Sequence, residues 1–398
     1  MGKAIEKKLQ NFLQNTETTS ISVPFIFDLT LVEHQEIFLE AISSRKINHI
    51  VDDYETQLKE LFQVLNPKLV FASDFETQFK NYLSKIKEKN LFWQHGRWVY
   101  YPWISTVVHT LEDESFQLVR TARNKNLIRA NEQEKFYNST IGIAGLSVGS
   151  NVAFAIVLQG GGRHLKLADF DTLSLSNMNR IRTGIDNLGL LKVEMVARQI
   201  YLLNPYTEIE VFSEGLTEKN IELFFDGLDI IIDEIDNLGL KYLIRQSAKK
   251  YKTPVVMGAD NGDNAVIDIE RYDLDPQLIF FHNRIGKTSY EELLALDKLA
   301  IGKKIIQHIG IENITERVQE SMLEIGKSIV SWPQLGGAAL LNGSAVAYCV
   351  RKILTGELLE KNRSLISMDE KLIPNYLDVE QIEKRKNTLA FFRKSFKL

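Results

Sequence analysis

The run Ile141-Gly142-Ile143-Ala144-Gly145-Leu146-Ser147-Val148-Gly149-Ser150 constrains this chain more than any other stretch. Residues suited to a buried strand lead into a glycine-containing turn and then a short helix, Asn151–Leu158. A second strand follows from His164 and ends in the acids of Asp169-Phe170-Asp171. Strand, turn, helix and acid-tipped strand make a βαβ unit of the nucleotide-binding kind. Such a turn lets backbone N–H groups approach phosphate oxygens, aided by the helix dipole. Gly145 and Gly149 are present, while Ser147 and Ser150 stand where a dinucleotide fingerprint has glycine. An acid at the end of the second strand, Asp169 or Asp171, suits the ribose hydroxyls of any adenine nucleotide, NAD included.

The rest of this region keeps the alternation. Leu191, Met195, Val196, Ile200 and Leu203 recur at helical spacing, so Leu188–Leu203 reads as a helix that stops before Pro205. Glu208–Phe212 alternates as a strand does, and Thr217 is placed to cap a helix over Glu218–Phe225. Leu228–Asp233 is almost purely aliphatic, as a strand buried on both faces must be. A helix over Gly239–Tyr251 and a strand at Pro254–Gly258 come next, with Val266–Tyr272 continuing the sheet in antiparallel fashion. The expected fold is therefore α/β: a doubly wound, largely parallel Rossmann-like sheet, with a separate N-terminal domain and a helical C-terminal section. The helical section covers Tyr290–Ile325 and then Gln334–Leu354, where Ala338, Ala339, Gly343, Ala345 and Ala347 permit close packing.

The domain boundaries implied are 1–120, 121–360 and 361–398. The first has a different texture. Short apolar runs such as Val23-Pro24-Phe25-Ile26-Phe27 alternate with charged helical stretches around Tyr54–Leu65 and Phe75–Ile86. Trp93, Trp98, Tyr100, Tyr101 and Trp103 read first as a small core sealing this domain to the next, and second as a groove for a peptide or protein substrate. The tail from Glu383 is basic and carries Phe391, Phe392 and Phe396, which suits a docking helix.

Bulk composition narrows the classes. A net charge of −4 provides no basic field for nucleic acid. The single cysteine, Cys349, excludes a disulfide framework within the chain and a four-thiolate zinc site. Met1 to Gln14 is polar and lysine-containing, with no apolar signal core, and no uncharged apolar run approaches the roughly 20 residues that cross a bilayer. These readings suit a cytoplasmic protein without a membrane span.

After the second strand the chain carries Asn177-Met178-Asn179-Arg180, then Lys192, then Asp236-Asn237. Arg180 and Lys192 fall where they can reach over the mouth of the sheet towards β- and γ-phosphates, stabilising the charge of a departing pyrophosphate. Asn177 adds a neutral donor. Asp236, beyond the carboxyl end of the buried strand, sits where open α/β sheets bind ligands and can hold a magnesium ion. Each residue also has an ordinary reading: cations near helix starts are usually solvated, and Asp-Asn pairs often cap helices.

The block Gly145…Asp169-Phe170-Asp171-Thr172-Leu173-Ser174-Leu175-Ser176-Asn177-Met178-Asn179-Arg180…Lys192-Val193-Glu194…Asp236-Asn237 resembles the ThiF-type adenylyltransferases, which include ubiquitin-activating enzymes. The resemblance covers roughly Arg123 to Glu357. It implies ATP and Mg2+ as ligands and a substrate carboxylate that attacks the α-phosphate, giving an acyl-adenylate. It implies Asp169 as ribose ligand and Asp171 as supporting acid, with Asn177, Arg180 and Lys192 on the phosphates and Asp236 on the metal. It also implies a homodimer in which an arginine before the first strand serves the neighbouring site. Arg123 is the candidate, with Arg120 or Lys125 as substitutes. The paired zinc cysteines of many relatives are absent, so zinc is not expected. Cys349 lies in an apolar helix, where a thiol is most often an inert core residue, so a thioester step is not expected either.

The leading expectation is an adenylyltransferase acting on a protein or peptide carboxylate. The alternatives are an NAD(P)-dependent oxidoreductase and a non-catalytic nucleotide-binding scaffold. The seven histidines are scattered without metal spacing, and His282 reads as a packing or surface residue.

Overall fold

The computed structural model describes residues 22–397. The reading of Met1 to Gln14 lies outside the described residues, as does Leu398 of the tail. The chain divides into two compact units, the first closing at Arg123 and the second starting at Asn124.

In the first unit, strands β1 (Phe25–Phe27), β2 (His49–Asp52), β3 (Arg97–Tyr101) and β4 (Thr106–Thr110) form one sheet in the order β1-β3-β4-β2. β3 is antiparallel to both of its neighbours, and β2 runs parallel to β4. Helices Tyr54–Leu65 and Phe75–Lys87 face each other through Leu58, Leu61 and Phe62 on one and Phe75, Phe79 and Leu83 on the other. That i, i+3, i+4 spacing is what an amphipathic helix needs to bury one stripe. Trp98, one of the aromatic cluster, stacks on buried His109 with ring centroids 4.2 Å apart, and Tyr54 covers the opposite face at 4.1 Å.

The second unit holds β5 (Thr140–Ala144), β6 (His164–Ala168), β7 (Glu208–Phe212), β8 (Ile230–Asp233), β9 (Val255–Asn261), β10 (Asn264–Glu270) and β11 (Arg363–Ile366). Their order is β11-β10-β9-β8-β5-β6-β7. The run from β9 to β7 is parallel throughout, while β10 and β11 close the other edge antiparallel. This is the doubly wound, largely parallel α/β sheet. The chain leaves β5 outward to β6 and β7, then returns to β8 on the other side. The carboxyl ends of β5, β6 and β8 therefore flank a topological switch point, where open α/β sheets form a crevice. Ile230, Ile231 and Ile232 are wholly buried, as the aliphatic run requires.

Two helices start later than the periodicity suggests. The helix read over Leu188–Leu203 begins at Lys192, because the preceding segment folds back on itself: Leu173 N–H donates to Leu190 O at 2.8 Å and Gly189 N–H to Leu173 O at 2.9 Å. The helix read over Glu218–Phe225 is Ile221–Phe225, and Thr217 makes no side-chain cap. Asn220 takes over there, accepting from Thr217 N–H at 2.7 Å and donating to Gly215 O at 2.8 Å, so its first turn becomes a side-chain-closed loop. The helical section from Tyr290 is three helices, Tyr290–Leu294, Lys298–Ile309 and Glu316–Leu323.

Helix Gly336–Leu354 packs on helix Gly149–Leu158, and its small residues permit the approach: a Cβ on Gly343 would lie 2.8 Å from the Asn151 backbone. The final helix, Val379–Phe396, buries Phe392 among Val266, Ile306, Val318 and Met322. Residues 363–366, read as the start of a C-terminal extension, contribute the edge strand of this sheet. No helix among the described residues is long and apolar enough to cross a membrane.

Candidate functional site

The turn after β5 is built around Gly145. Its φ is +87°, and a Cβ there would sit 2.4 Å from the carbonyl oxygen of Glu234, so no other residue fits without displacing the β8 loop. Leu146 N–H donates to Asp169 Oδ2 at 2.7 Å, and Asp171 N–H donates to Asp169 Oδ1 at 2.8 Å. Asp169 thus ties the glycine turn to the end of β6. Burial pushes its carboxyl up, opposed by these two amides and by Lys192. Each oxygen keeps a lone pair for a further donor such as a ribose hydroxyl. Gly149 opens the ten-residue helix Gly149–Leu158, whose first-turn N–H groups end at this crevice. Ser150 turns inward, its hydroxyl donating to Ser147 O at 2.8 Å.

Lys192 is 5% exposed and donates from Nζ to Asp171 Oδ2 at 2.7 Å. Its backbone N–H also donates to Asp171 O, so the late helix start fixes both ends of this pair. Asn177 closes a short 3-10 turn, its Oδ1 accepting Ser174 N–H at 3.1 Å. Arg180 reaches back to the glycine turn: Nε donates to Ser147 Oγ at 2.9 Å and Nη1 to Asn179 Oδ1 at 3.0 Å. Partial burial lowers its guanidinium pKa, and the facing carboxylates Asp260 and Asp236 offset only part of that.

Asp236 follows β8 with its residue exposed. It does not cap the next helix. Asn237 does, accepting Leu240 N–H at 3.0 Å, which leaves the Asp236 carboxylate to the crevice. Beneath it, fully buried Asp233 holds Lys241 at 3.1 Å and Arg245, and Arg245 bridges on to Glu270 at 2.7 Å. Burial alone would raise the Asp233 carboxyl, but the two cations outweigh it and keep it below its ordinary value. These pairs join β8, β10 and helix Leu238–Tyr251, so the loop bearing Asp236 stands on a braced base.

A cavity of about 230 Å3 opens beside Ser147 and Asp236 and is also lined by Glu234, Asp260, His308 and Gln334. Burial pushes the Asp260 carboxyl up to about 6, against hydrogen bonds from Asn342 and Gln334 and the charge of Arg180. Ser147, Glu234, Asp260 and His308 were not among the residues singled out from sequence as contacts. Ser147 enters the sequence reading only as a departure from a glycine pattern, and Asp260 falls between the strands read at Pro254–Gly258 and Val266–Tyr272. An acid at the carboxyl end of the strand next to β8 was the signal available for Asp260.

The structure therefore gathers Gly145, Gly149, Asp169, Asp171, Asn177, Arg180, Lys192 and Asp236 along the carboxyl edge of one sheet. Arg123 closes the first unit, exposed in the turn Ala122–Asn124. Cys349 is buried in helix Gly336–Leu354, and burial pushes its thiol up to about 11. Among the described residues no cluster of three or more His, Cys, Asp and Glu suits a metal ion.

A largely parallel, doubly wound sheet with a glycine turn and acids at its switch point defines a Rossmann-like α/β protein. Residues 121–267 match the ThiF family. The uncharacterized protein MT1398 of Mycobacterium tuberculosis is 33% identical over 309 residues, covering 77% of this chain and 43% of that protein. The tRNA threonylcarbamoyladenosine dehydratase of Bacillus subtilis is 32% identical over 164 residues, covering 39% of this chain and 64% of its own length. The molybdopterin-synthase adenylyltransferase of Haemophilus influenzae is 25% identical over 198 residues, covering 50% and 80%. The chain thus spans less than two thirds of the first two of these relatives.

Proposed function

We propose that this chain is an ATP-dependent adenylyltransferase that activates a carboxylate of a protein or peptide as an acyl-adenylate, without a thioester intermediate. One carboxylate oxygen attacks the α-phosphorus of ATP, and the bond to the bridging oxygen of pyrophosphate breaks. Arg180 and Lys192 hold phosphate oxygens and offset the charge that develops on the leaving group. Asp169 takes the ribose, Asp171 keeps Lys192 in place, and Asn177 donates to phosphate. Asp236, exposed and released from capping duty, would hold Mg2+ at the phosphates, where the ion would neutralise charge. The enzyme works in the cytoplasm as a homodimer, with Arg123 supplied to the neighbouring site.

The observation that carries this reading is the placement of Arg180, fastened to the glycine turn through Ser147 and facing Asp236. A nicotinamide cofactor has no need of a cation and a metal-binding acid opposed across that turn. Buried Cys349 supports direct transfer of the acyl group. The first test is thermal: ATP with Mg2+ should raise the melting temperature and NADH should not. The second is to incubate the chain with cell extract and ATP and seek an acyl-adenylate by mass spectrometry. Stabilisation by NADH alone, or no adenylate from wild type beyond that from Asp236→Ala, would sink the proposal.

A further inference from the structure

The cavity beside Asp236 is also lined by residues that the nucleotide reading does not use. Apart from Asp236, which the metal would take, its lining includes the carboxyl side chains of Glu234 and Asp260 together with Met257, Ile305, Ile309 and Trp332. Burial pushes Glu234 well above its ordinary value, so Asp260 is the acid left to carry charge. Two cations near it are already engaged. Lys241 is paired with Asp233 at 3.1 Å, and Arg180 donates to Ser147 and Asn179. A carboxyl among apolar and aromatic side chains fits an alkyl chain that ends in a positive charge.

His308 supplies the independent observation. It lines this cavity, is 2% exposed, and its Nδ1 has no hydrogen-bond partner. Its Nε2 lies 3.3 Å from the Met257 sulfur, a weak acceptor, so the ring proton belongs on Nε2 and Nδ1 presents a lone pair. Burial, with Arg245 and Lys241 nearby, holds this imidazole neutral, well below its ordinary value. A buried lone pair left unmatched is costly, and a ligand that donates N–H groups would satisfy it.

We propose that this cavity binds a primary ammonium group on an alkyl chain, and that this amine is the acceptor of the activated acyl group. The acceptor role rests on the adenylylation reading; the ammonium site itself does not. One N–H proton passes to the Asp260 carboxylate, and the freed amine attacks the carbonyl carbon of the acyl-adenylate. A C–N bond forms, the bond from that carbon to the AMP oxygen breaks, and AMP leaves with the electron pair. The second proton goes to water, leaving an amide. The raised carboxyl of Asp260 suits a group that must take a proton and give it up again.

The test titrates the full chain with n-butylammonium chloride, with 1-butanol and sodium butyrate as uncharged and anionic counterparts. Tryptophan fluorescence is read against a Trp332→Phe variant to isolate the cavity signal. Butylammonium alone should saturate the Trp332 signal, and Asp260→Asn should weaken it about tenfold, with His308→Leu weaker than wild type. Butylammonium binding no better than 1-butanol in wild type overturns the proposal, whatever the variants do. So does unchanged affinity in folded Asp260→Asn. ATP with Mg2+ is titrated in parallel; its failure to bind would remove the adenylylation reading and leave the ammonium result to stand on its own.

Discussion

Arg180 Nε donates to the hydroxyl of Ser147 at 2.9 Å, so a serine that departs from the glycine pattern orients the main candidate phosphate contact. Ser147→Ala keeps the turn but frees the guanidinium. Loss of one such bond corresponds to roughly 2- to 10-fold weaker ATP binding. Ser147→Thr should restore most of it, and calorimetric titration of the three proteins checks both expectations. Equal affinity in the alanine variant would mean that Arg180 is held by its other partners.

Gly145→Ala would force a Cβ onto the Glu234 carbonyl at a φ of +87°. The expected cost is roughly 2–4 kcal/mol, from strain and the displaced β8 loop together. Urea denaturation followed by circular dichroism measures it. A loss under about 0.5 kcal/mol would show that the loop yields freely.

Arg245→Met removes the cation shared by Asp233 and Glu270, all three of them fully or almost fully buried. Leaving buried acids uncompensated costs about 3–5 kcal/mol. The same denaturation experiment should show it, and the loss should shrink at low pH, where the stranded carboxylates take up protons.

Asp260 has its carboxyl raised to about 6 from an ordinary 3.8, so the folded chain binds this proton more tightly than the unfolded one. Its contribution therefore falls as pH rises through that window, and above it the charged, buried acid costs stability. Relative to wild type, Asp260→Asn should gain roughly 1–3 kcal/mol between pH 4 and pH 7. Denaturation midpoints across that range test the sign; a difference that is flat with pH contradicts it.

Cys349→Ala should leave adenylate formation within about twofold of wild type, because the thiol is buried and pushed up to about 11. Iodoacetamide should label the native chain slowly and the denatured chain fully. A folded but inactive alanine variant would restore the thioester route.

Much of the second unit was legible because its signals are local. The wholly buried Ile230–Ile232 run and the stripe of Met195, Val196 and Ile200 report burial through composition and spacing alone. The helix starts at Lys192 and Ile221 were not legible, since folded-back loops and the Asn220 side chain override propensity there. Asn237, one residue from Asp236, took the capping role, a choice between two competent neighbours that spacing cannot make. Asp260 and His308 come from β9 and from helix Lys298–Ile309, and only the folded sheet brings them beside Ser147 and Asp236.

Asp169 spends both of its oxygens on backbone amides before any ligand arrives. The loop is thus braced in advance, and on the proposed reading a sugar that docked there would inherit an arrangement it need not organise. Less entropy would then be lost at that step, and on the same reading discrimination among nucleotides would fall to the phosphate end, where Arg180 is part-buried and Asp236 exposed.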